Sequence, residues 1–180
     1  MSRLLTKFRE KILPALKDEL KVDNALAVPR IEKIVVNAGI GKNLLAQPKS
    51  LDEIIEAVKK ITGQKPVLKK AKKAISGFKV REGQVVGLVV TLRGRRMYDF
   101  LDKFINATLP RSRDFKGLSR TGFDGRGNFS AGIPDYLAFP EMVQEDSGLN
   151  FGLQITIITT AKSDEEAYKL LKKFNFPFKD

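Results

Sequence analysis

Nonpolar residues recur every three or four positions in four segments of the chain, a spacing that places them on one side of a helix. The segments are residues 2–20, 48–62, 96–108 and 163–171. Pro14 is expected to kink or split the first, while Gly63 and Pro110 are expected to end the second and third. Ser163 and Glu166 form a capping box at the start of the fourth. The pattern therefore predicts four helices.

Other segments are rich in β-branched residues and are bounded by glycine or proline, which is typical of strands. They are residues 31–38, 66–70, 84–92, 128–131 and 153–160. The second and third are joined without a helical crossover and predict an antiparallel hairpin with a long tip. We therefore predict an α+β fold in a single domain spanning residues 1–180. It has a mainly antiparallel sheet, helices packed on one face and a long basic hairpin loop.

Alternate residues of a strand face opposite sides of the sheet, so the strand sequences also predict the chemistry of each face. One face is nonpolar and carries Ile34, Val36, Ala38, Leu88, Val90, Leu92, Leu153, Ile155 and Ile157. The other presents polar groups from Asn37, Thr91, Arg93, Gln154 and Thr156. Such a face is either a platform for RNA minor-groove and backbone contacts or merely a solvated surface. The pattern leaves both interpretations open.

Charge narrows the choice of partner. The chain has 33 Lys and Arg against 21 Asp and Glu, a formal net charge of +12, which favours a polyanionic partner. A membrane surface would require a basic amphipathic helix with Trp or Phe on its nonpolar side, and the sequence has neither that helix nor any Trp. No nonpolar run approaches the length of a membrane span and no leader pattern is present, so we expect a cytoplasmic protein.

The positive charge is concentrated in the predicted hairpin. Between positions 65 and 81 there are seven basic residues and no acidic one: Lys65, Lys69, Lys70, Lys72, Lys73, Lys79 and Arg81. A charge run is more often a solvated surface, but its coincidence with a loop tip favours contact with phosphates. Phe78 in the same loop either stacks on a base or belongs to a local core.

A second basic stretch follows the third helix. It contains Arg111, Arg113, Lys116, Arg120 and Arg126 among four glycines, Gly117, Gly122, Gly125 and Gly127. The glycines either let the backbone approach a phosphate chain closely or belong to an ordinary flexible loop.

Residues 127–161 contain no Lys or Arg, whereas Asp135, Glu141, Glu145 and Asp146 are acidic. RNA would repel this segment, so it faces either solvent or a basic protein.

Enzyme chemistry finds little support in the residues. Cys and His are absent, which removes thiolate nucleophiles, imidazole bases and the usual zinc ligands. A partial phosphate-loop pattern at Gly39 and Gly41 lacks the earlier glycine, where Val36 stands, and has Asn43 in place of the required hydroxyl. We therefore expect no catalysis, no cofactor and no metal.

Six stretches resemble, in order, bacterial large-subunit ribosomal protein five, the universal 5S rRNA-binding ribosomal protein family. They are KIVVNAGIG at residues 33–41, TGQKPV at 62–67, AKKAISGF at 71–78, TLRGRRMYDFL at 91–101, LPRSRDF at 109–115 and FDGRGN at 123–128. The resemblance implies a non-enzymatic constituent of the large ribosomal subunit that helps attach 5S rRNA to 23S rRNA in the central protuberance. The residues alone also allow a free-standing RNA chaperone or regulator.

The resemblance implies four contact regions. For the sheet face, the resemblance implies 5S rRNA contacts from Asn37, Gln64, Lys65, Lys69, Thr91 and Arg93. For the hairpin tip, it implies contact with P-site tRNA through Lys72, Lys73, Ser76, Gly77, Phe78, Lys79 and Arg81. Other rRNA contacts are implied for Arg111, Arg113 and Arg126. An intersubunit bridge to small-subunit ribosomal protein thirteen is implied for Asp135, Glu141, Glu145 and Asp146. There the chain has SGLNFG at residues 147–152 where the family usually carries Arg-Gly, a departure that weakens the implied bridge.

Overall fold

A computed structural model describes residues 2–112, 115–142 and 149–179 and contains one five-stranded sheet in the order β2-β3-β1-β5-β4. The strands are β1 (Ile31–Gly39), β2 (Val67–Lys70), β3 (Val85–Leu92), β4 (Phe129–Ile133) and β5 (Leu153–Thr159). Every neighbouring pair is antiparallel. The predicted α+β class, antiparallel sheet and hairpin are confirmed.

Helices cover one face of this sheet. They are α1 (Arg3–Lys7), α2 (Leu13–Leu20), α3 (Gly41–Ala46), α4 (Leu51–Thr62), α5 (Gly94–Lys103), α6 (Leu109–Arg111) and α7 (Asp164–Lys173), with π-helical segments at Phe8–Ile12 and Phe104–Thr108. Short 3-10 turns lie at Ala25–Ala27, Pro48–Ser50, Ser76–Phe78, Arg120–Gly122, Tyr136–Ala138 and Pro140–Met142. The four predicted helical segments are all helical, while α3 was not predicted.

The hydrophobic core lies between the helices and the nonpolar face of the sheet. The nine nonpolar residues predicted for that face on β1, β3 and β5 are each at most 2% exposed. Helical residues such as Leu16, Ile54 and Phe104 pack in the same cluster. Alternation along the strands therefore predicted the buried face correctly, because every second side chain is the one that meets the helices.

Pro110 acts differently from the prediction, while the kink or split expected at Pro14 stays a prediction. The chain stays helical through Pro14 and through Pro110, so Pro110 does not end the helix, which continues to Arg111. A π-helical segment lies just before each proline. Proline lacks an N–H and its ring clashes with the carbonyl four residues earlier, and a locally wider helix relieves that clash. At Pro110 the structure therefore has a local widening of the helix where its end was expected.

The capping box of α7 forms only in part. The Ser163 hydroxyl accepts a hydrogen bond from the Glu166 N–H at 3.4 Å, as predicted. The Glu166 carboxylate accepts from the N–H of Lys162 at 2.9 Å rather than from that of Ser163. Both interactions still satisfy amides at the start of the helix.

Candidate nucleic-acid interface

The uncovered face of the sheet, here called the open face, brings the predicted polar residues together. Strand register places Asn37 between Val89 of β3 and Gln154 of β5. The same register places Val35 between Thr91 and Thr156. Directly paired residues of antiparallel strands lie on the same face, so the polar groups form two neighbouring rows. The predicted shared face of Asn37, Thr91, Gln154 and Thr156 is confirmed.

Several polar groups of the open face have no partner among the described residues. The side-chain amides of Asn37 and Gln154 and the hydroxyl of Thr91 make no hydrogen bond there, whereas Thr156 bonds to Ser130 at 3.0 Å. An amide group both donates and accepts, and a hydroxyl does the same. The face therefore offers unused hydrogen-bonding groups to a ligand.

Cationic residues flank these groups. Lys69 pairs with Gly87 and so lies on the open face. Arg93 directly follows β3 at the N-cap position of α5, where its side chain makes no capping hydrogen bond. Gln64 and Lys65 lie just before β2, Gln64 half-buried and Lys65 exposed. Within the described ranges, Lys65, Lys69 and Arg93 have no carboxylate within 4.0 Å. Their positive charge is free for an anionic partner.

Lys33 belongs to the same surface and was missed in the sequence. It pairs with Ile158, and alternation puts it on the side of Val35 and Asn37. Its ammonium group lies 3.5 Å from the Glu32 carboxylate. The alternation that selected Asn37 contains the signal, because Lys33 is four residues earlier on the same strand.

The basic hairpin tip, residues 71–84, is a loop with backbone hydrogen bonds of its own. The Ala71 N–H donates to the Gln84 carbonyl at 2.8 Å, and Ile75 and Val80 exchange two backbone hydrogen bonds. Phe78 is 71% exposed, which rules out a local core for its ring. Lys72, Lys73, Lys79 and Arg81 are exposed, and no described carboxylate pairs with them. The tip therefore presents an aromatic ring among unpaired cations.

The glycine-rich turn at residues 124–128, for which the sequence left open either a close approach to phosphate or an ordinary loop, binds carboxylates of the protein itself. The Asp164 carboxylate accepts hydrogen bonds from the N–H groups of Gly125 at 3.0 Å and Gly127 at 2.8 Å. Asp124 accepts from the backbone and side chain of Asn128, whose side-chain hydrogen bond is the main cause of the lowered pKa of Asp124. The amides that would bind a phosphate are thus occupied by carboxylates.

Replacing Asp164 with alanine is expected to lower the free energy of unfolding by about 2 kcal/mol, since two N–H groups lose a charged acceptor and α7 loses an acidic residue at its N-terminus. Urea unfolding measures this. Glu165→Ala is the matched control, because Glu165 lies in the same helical turn without a hydrogen bond to the described residues. Equal losses in the two variants would mean that only the helix charge matters.

The arginines around this turn differ in how accessible they are to a partner. Arg111 is exposed at the end of α6, and Arg126 is exposed at the tip of the turn. The Arg120 guanidinium lies 4.2 Å from the Tyr168 ring centroid, so it packs on the protein's own surface. Arg113 lies outside the described residues. Of the three predicted rRNA contacts here, Arg111 and Arg126 remain accessible.

The acidic segment has local partners. Asp135 accepts a hydrogen bond from the Leu137 N–H at 2.9 Å and thereby caps a 3-10 turn. Glu141 forms a 2.5 Å ion pair with Lys103, whose ammonium group also donates to the Ile61 carbonyl at 2.6 Å. Glu145 and Asp146 lie outside the described residues. The two described acids therefore already have partners within the protein.

Two family models match the chain. One, ribosomal protein L5, matches residues 24–81, and the other, ribosomal L5P family C-terminus, matches residues 85–178. The chain belongs to the ribosomal protein L5 family. The sheet interleaves the two matched segments, because β1 and β2 come from the first and β3, β4 and β5 from the second.

Full-length bacterial relatives of the family agree with this result. The chain is 52% identical over 178 residues to large ribosomal subunit protein uL5 of Natranaerobius thermophilus, covering 99% of each chain. The corresponding protein of Halothermothrix orenii is 49% identical and that of Carboxydothermus hydrogenoformans 48% identical, again with 99% of each chain covered. The family consists of structural ribosomal proteins, so the predicted large-subunit location and non-enzymatic role are confirmed.

Two kinds of feature are absent from the described residues. They contain no cluster of three or more acidic side chains that would hold a metal ion. None of their helices combines the length and nonpolar character that crossing a bilayer requires.

Proposed function

We propose that this structural constituent of the large ribosomal subunit binds 5S rRNA through its open face and helps attach it to 23S rRNA in the central protuberance. Unpaired polar groups beside unpaired cations, on a protein of the L5 family, carry the proposal. The proposed 5S rRNA contacts are Asn37, Gln64, Lys65, Lys69, Thr91 and Arg93. Arg111, Arg113 and Arg126 are proposed to contact rRNA elsewhere.

The chemistry of the open face suits an RNA surface. The minor groove of A-form RNA is wide and shallow and displays 2′-hydroxyl groups and base edges, which side chains on an uncovered sheet face can reach. Amides such as Asn37 can hydrogen-bond to both kinds of group, while Lys69 and Arg93 can neutralise phosphates. The uncovered polar face thus has complementary groups for backbone and groove together.

Competition binding tests this proposal. Labelled 5S rRNA is bound to the purified protein at moderate salt, and unlabelled 5S rRNA or tRNA is added. We expect 5S rRNA to compete far better, because specific binding exceeds non-specific electrostatic binding by several orders of magnitude. Equal competition would support the RNA-chaperone alternative instead.

We further propose that the basic hairpin tip contacts P-site tRNA through Lys72, Lys73, Ser76, Gly77, Phe78, Lys79 and Arg81. The unpaired cations and the exposed Phe78 ring support it. Lysines can bind phosphates along the tRNA backbone, and an exposed ring can stack on a base.

Neutralising Lys72, Lys73 and Lys79 to alanine is expected to leave 5S rRNA affinity within about threefold of wild type, because these lysines lie beyond the paired residues of β2 and β3, which end at Lys70 and Val85. Binding of P-site tRNA to ribosomes carrying the variant should weaken, since three phosphate contacts are removed. Filter binding measures both affinities. Lys59→Ala, which removes a lysine of α4 paired with Glu56 at 3.0 Å, is the control for lost charge. A large loss of 5S rRNA affinity would contradict the assignment of the tip to tRNA.

The segment with Asp135, Glu141, Glu145 and Asp146 is proposed to form the intersubunit bridge to small-subunit ribosomal protein thirteen. The absence of Lys and Arg from residues 127–161 supports a basic partner for it. The internal bonds of Asp135 and Glu141 leave Glu145 and Asp146 as the first positions to neutralise when subunit association is measured. Other proteins of the central protuberance are expected neighbours.

A further inference from the structure

One lysine of α5 is bonded to two other parts of the fold. The Lys103 ammonium group donates to the Glu141 carboxylate at 2.5 Å and to the Ile61 carbonyl oxygen at 2.6 Å. It also lies 5.6 Å from the Phe100 ring centroid and 6.0 Å from that of Phe139. The Lys103 side chain is 22% exposed, so most of it lies inside the protein. A single cation thus connects α5, the end of α4 and the short 3-10 turn that contains Glu141.

Both hydrogen bonds of Lys103 oppose its separation from these partners. The last carbonyls of a helix have no partner within the helix and carry the negative end of its dipole, and Ile61 lies in the final turn of α4. The Glu141 side chain is 31% exposed, so its ion pair with Lys103 is partly shielded from water. Moving Glu141 away would leave a largely buried cation without its carboxylate, which is costly.

The residue after Ile61 begins the turn proposed to contact RNA. The Thr62 side chain is buried, and its hydroxyl donates to the Gln64 carbonyl oxygen at 3.0 Å. Gln64 and the following Lys65 are proposed contacts of 5S rRNA. The end of α4 that Lys103 holds therefore also supports the turn at residues 62–65.

On the other side of Lys103, buried side chains hold residues 136–142 of the acidic segment. Phe139 and Met142 are fully buried, and the Tyr136 ring stacks on that of Phe151 with the centroids 4.3 Å apart. The Phe139 N–H donates to the Tyr136 carbonyl at 3.1 Å, and the Met142 N–H donates to the Phe139 carbonyl at 3.0 Å. Exchange of these two amides with solvent therefore reports local opening of residues 136–142.

We infer that Lys103 is a positioning residue that couples the turn at residues 62–65 to residues 136–142 of the acidic segment. Opening of residues 136–142 pulls Glu141 away and disturbs the cation that holds Ile61. RNA bound to the turn fixes the end of α4, so the same opening then costs more free energy. This inference rests on the proposed binding of 5S rRNA and adds that the RNA makes the segment proposed to bind a protein more rigid.

Amide hydrogen exchange tests the coupling. Exchange at Phe139 and Met142 is measured for the free protein and for its complex with 5S rRNA, and the ratio of the two rates is compared between variants. In wild type we expect 5S rRNA to slow both amides about tenfold, because local opening becomes more costly. In Lys103→Met, which keeps a long side chain without its charge, the ratio should fall to about one, since the link is removed. Affinity for 5S rRNA should stay within about threefold of wild type, because the open segment is a minor population in both proteins.

Two further variants separate coupling from stability. A lysine that only stabilises the fold would, when removed, raise exchange equally with and without RNA, and the ratio would stay as in wild type. Lys103→Arg keeps the charge and supplies several N–H donors, so it should restore the ratio. Asp102→Asn removes a different ion pair of the same helix, the one with Arg3 at 2.8 Å, and should leave the ratio as in wild type.

Any of four results would overturn the inference while wild type binds 5S rRNA. The RNA leaves exchange of the two amides unchanged in wild type, Lys103→Met keeps the wild-type ratio, Lys103→Arg fails to restore it, or Asp102→Asn loses it as fully as Lys103→Met does. Failure of wild type itself to bind 5S rRNA would instead remove the proposed function, and the inference with it.

Discussion

Replacing Arg93 with alanine is expected to weaken 5S rRNA binding by about 1–3 kcal/mol and to reduce the slope of log affinity against log salt by about one. The reason is that Arg93 is exposed at the end of β3, has no described carboxylate partner and so is free to neutralise one phosphate. Asn37→Ala should cost about 1–3 kcal/mol and leave the salt slope unchanged, because an amide releases no counterion. Filter binding at several salt concentrations measures both quantities.

Arg95→Ala is the matched control for the loss of one arginine. Arg95 lies two residues further along, is similarly exposed and has its own ion-pair partner, Asp99, at 3.5 Å across one turn of α5. Its affinity and salt slope should stay near those of wild type. If both Arg93→Ala and Asn37→Ala bind as wild type does, the open face is not the RNA interface.

Replacing Phe129 with alanine is expected to lower the free energy of unfolding by about 3–5 kcal/mol, the usual cost of removing a buried aromatic ring. Phe129 is 1% exposed in β4. Its ring centroid lies 4.9 Å from that of Phe123 and 5.4 Å from that of Phe178. The ring thus joins the sheet to the turn before it and to the last residues of the chain. Urea unfolding followed by circular dichroism measures the loss.

Phe78→Ala provides the control for this prediction. It removes the same group from a position that is 71% exposed, so stability should change by less than about 0.5 kcal/mol. Comparable losses in the two variants would show that the aromatic cluster around Phe129 contributes no more than an exposed ring. Proteolysis of the end of the chain in Phe129→Ala should increase, because Phe178 loses a packing partner.

Local patterns predicted the elements best where one rule dominated. Strand alternation identified the buried and open faces, because every second residue of a strand points to the same side. The hairpin of β2 and β3 followed from two strand segments that lack a helical crossover. The helix α3, Gly41–Ala46, was missed because six residues that begin with glycine carry too little periodicity. The prediction that Pro110 ends its helix was wrong, because a π-helical segment accommodates the proline.

In the candidate site, too, some residue positions followed from local patterns and others only from contacts between distant parts of the chain. Asn37, Thr91 and Arg93 were assigned to one face from their own strands. That Asn37 lies directly beside Gln154 depends on the pairing of β1 with β5, which no local pattern contains. The glycine-rich turn was ambiguous in the sequence, and Asp164, distant in the chain, decided it by binding the turn amides.

The amino-acid sequence by itself determined the net positive charge, the segregation of acidic residues, the helix and strand segments and the two faces of each strand. These are local or additive properties, set by residue type and by the geometry of a single element. Tertiary structure decided the strand order β2-β3-β1-β5-β4, the pairing of Asn37 with Gln154 and the partners of Asp164 and Glu141. Those features join residues far apart in the chain, and only the packing of helices and sheet into one core brings them into contact.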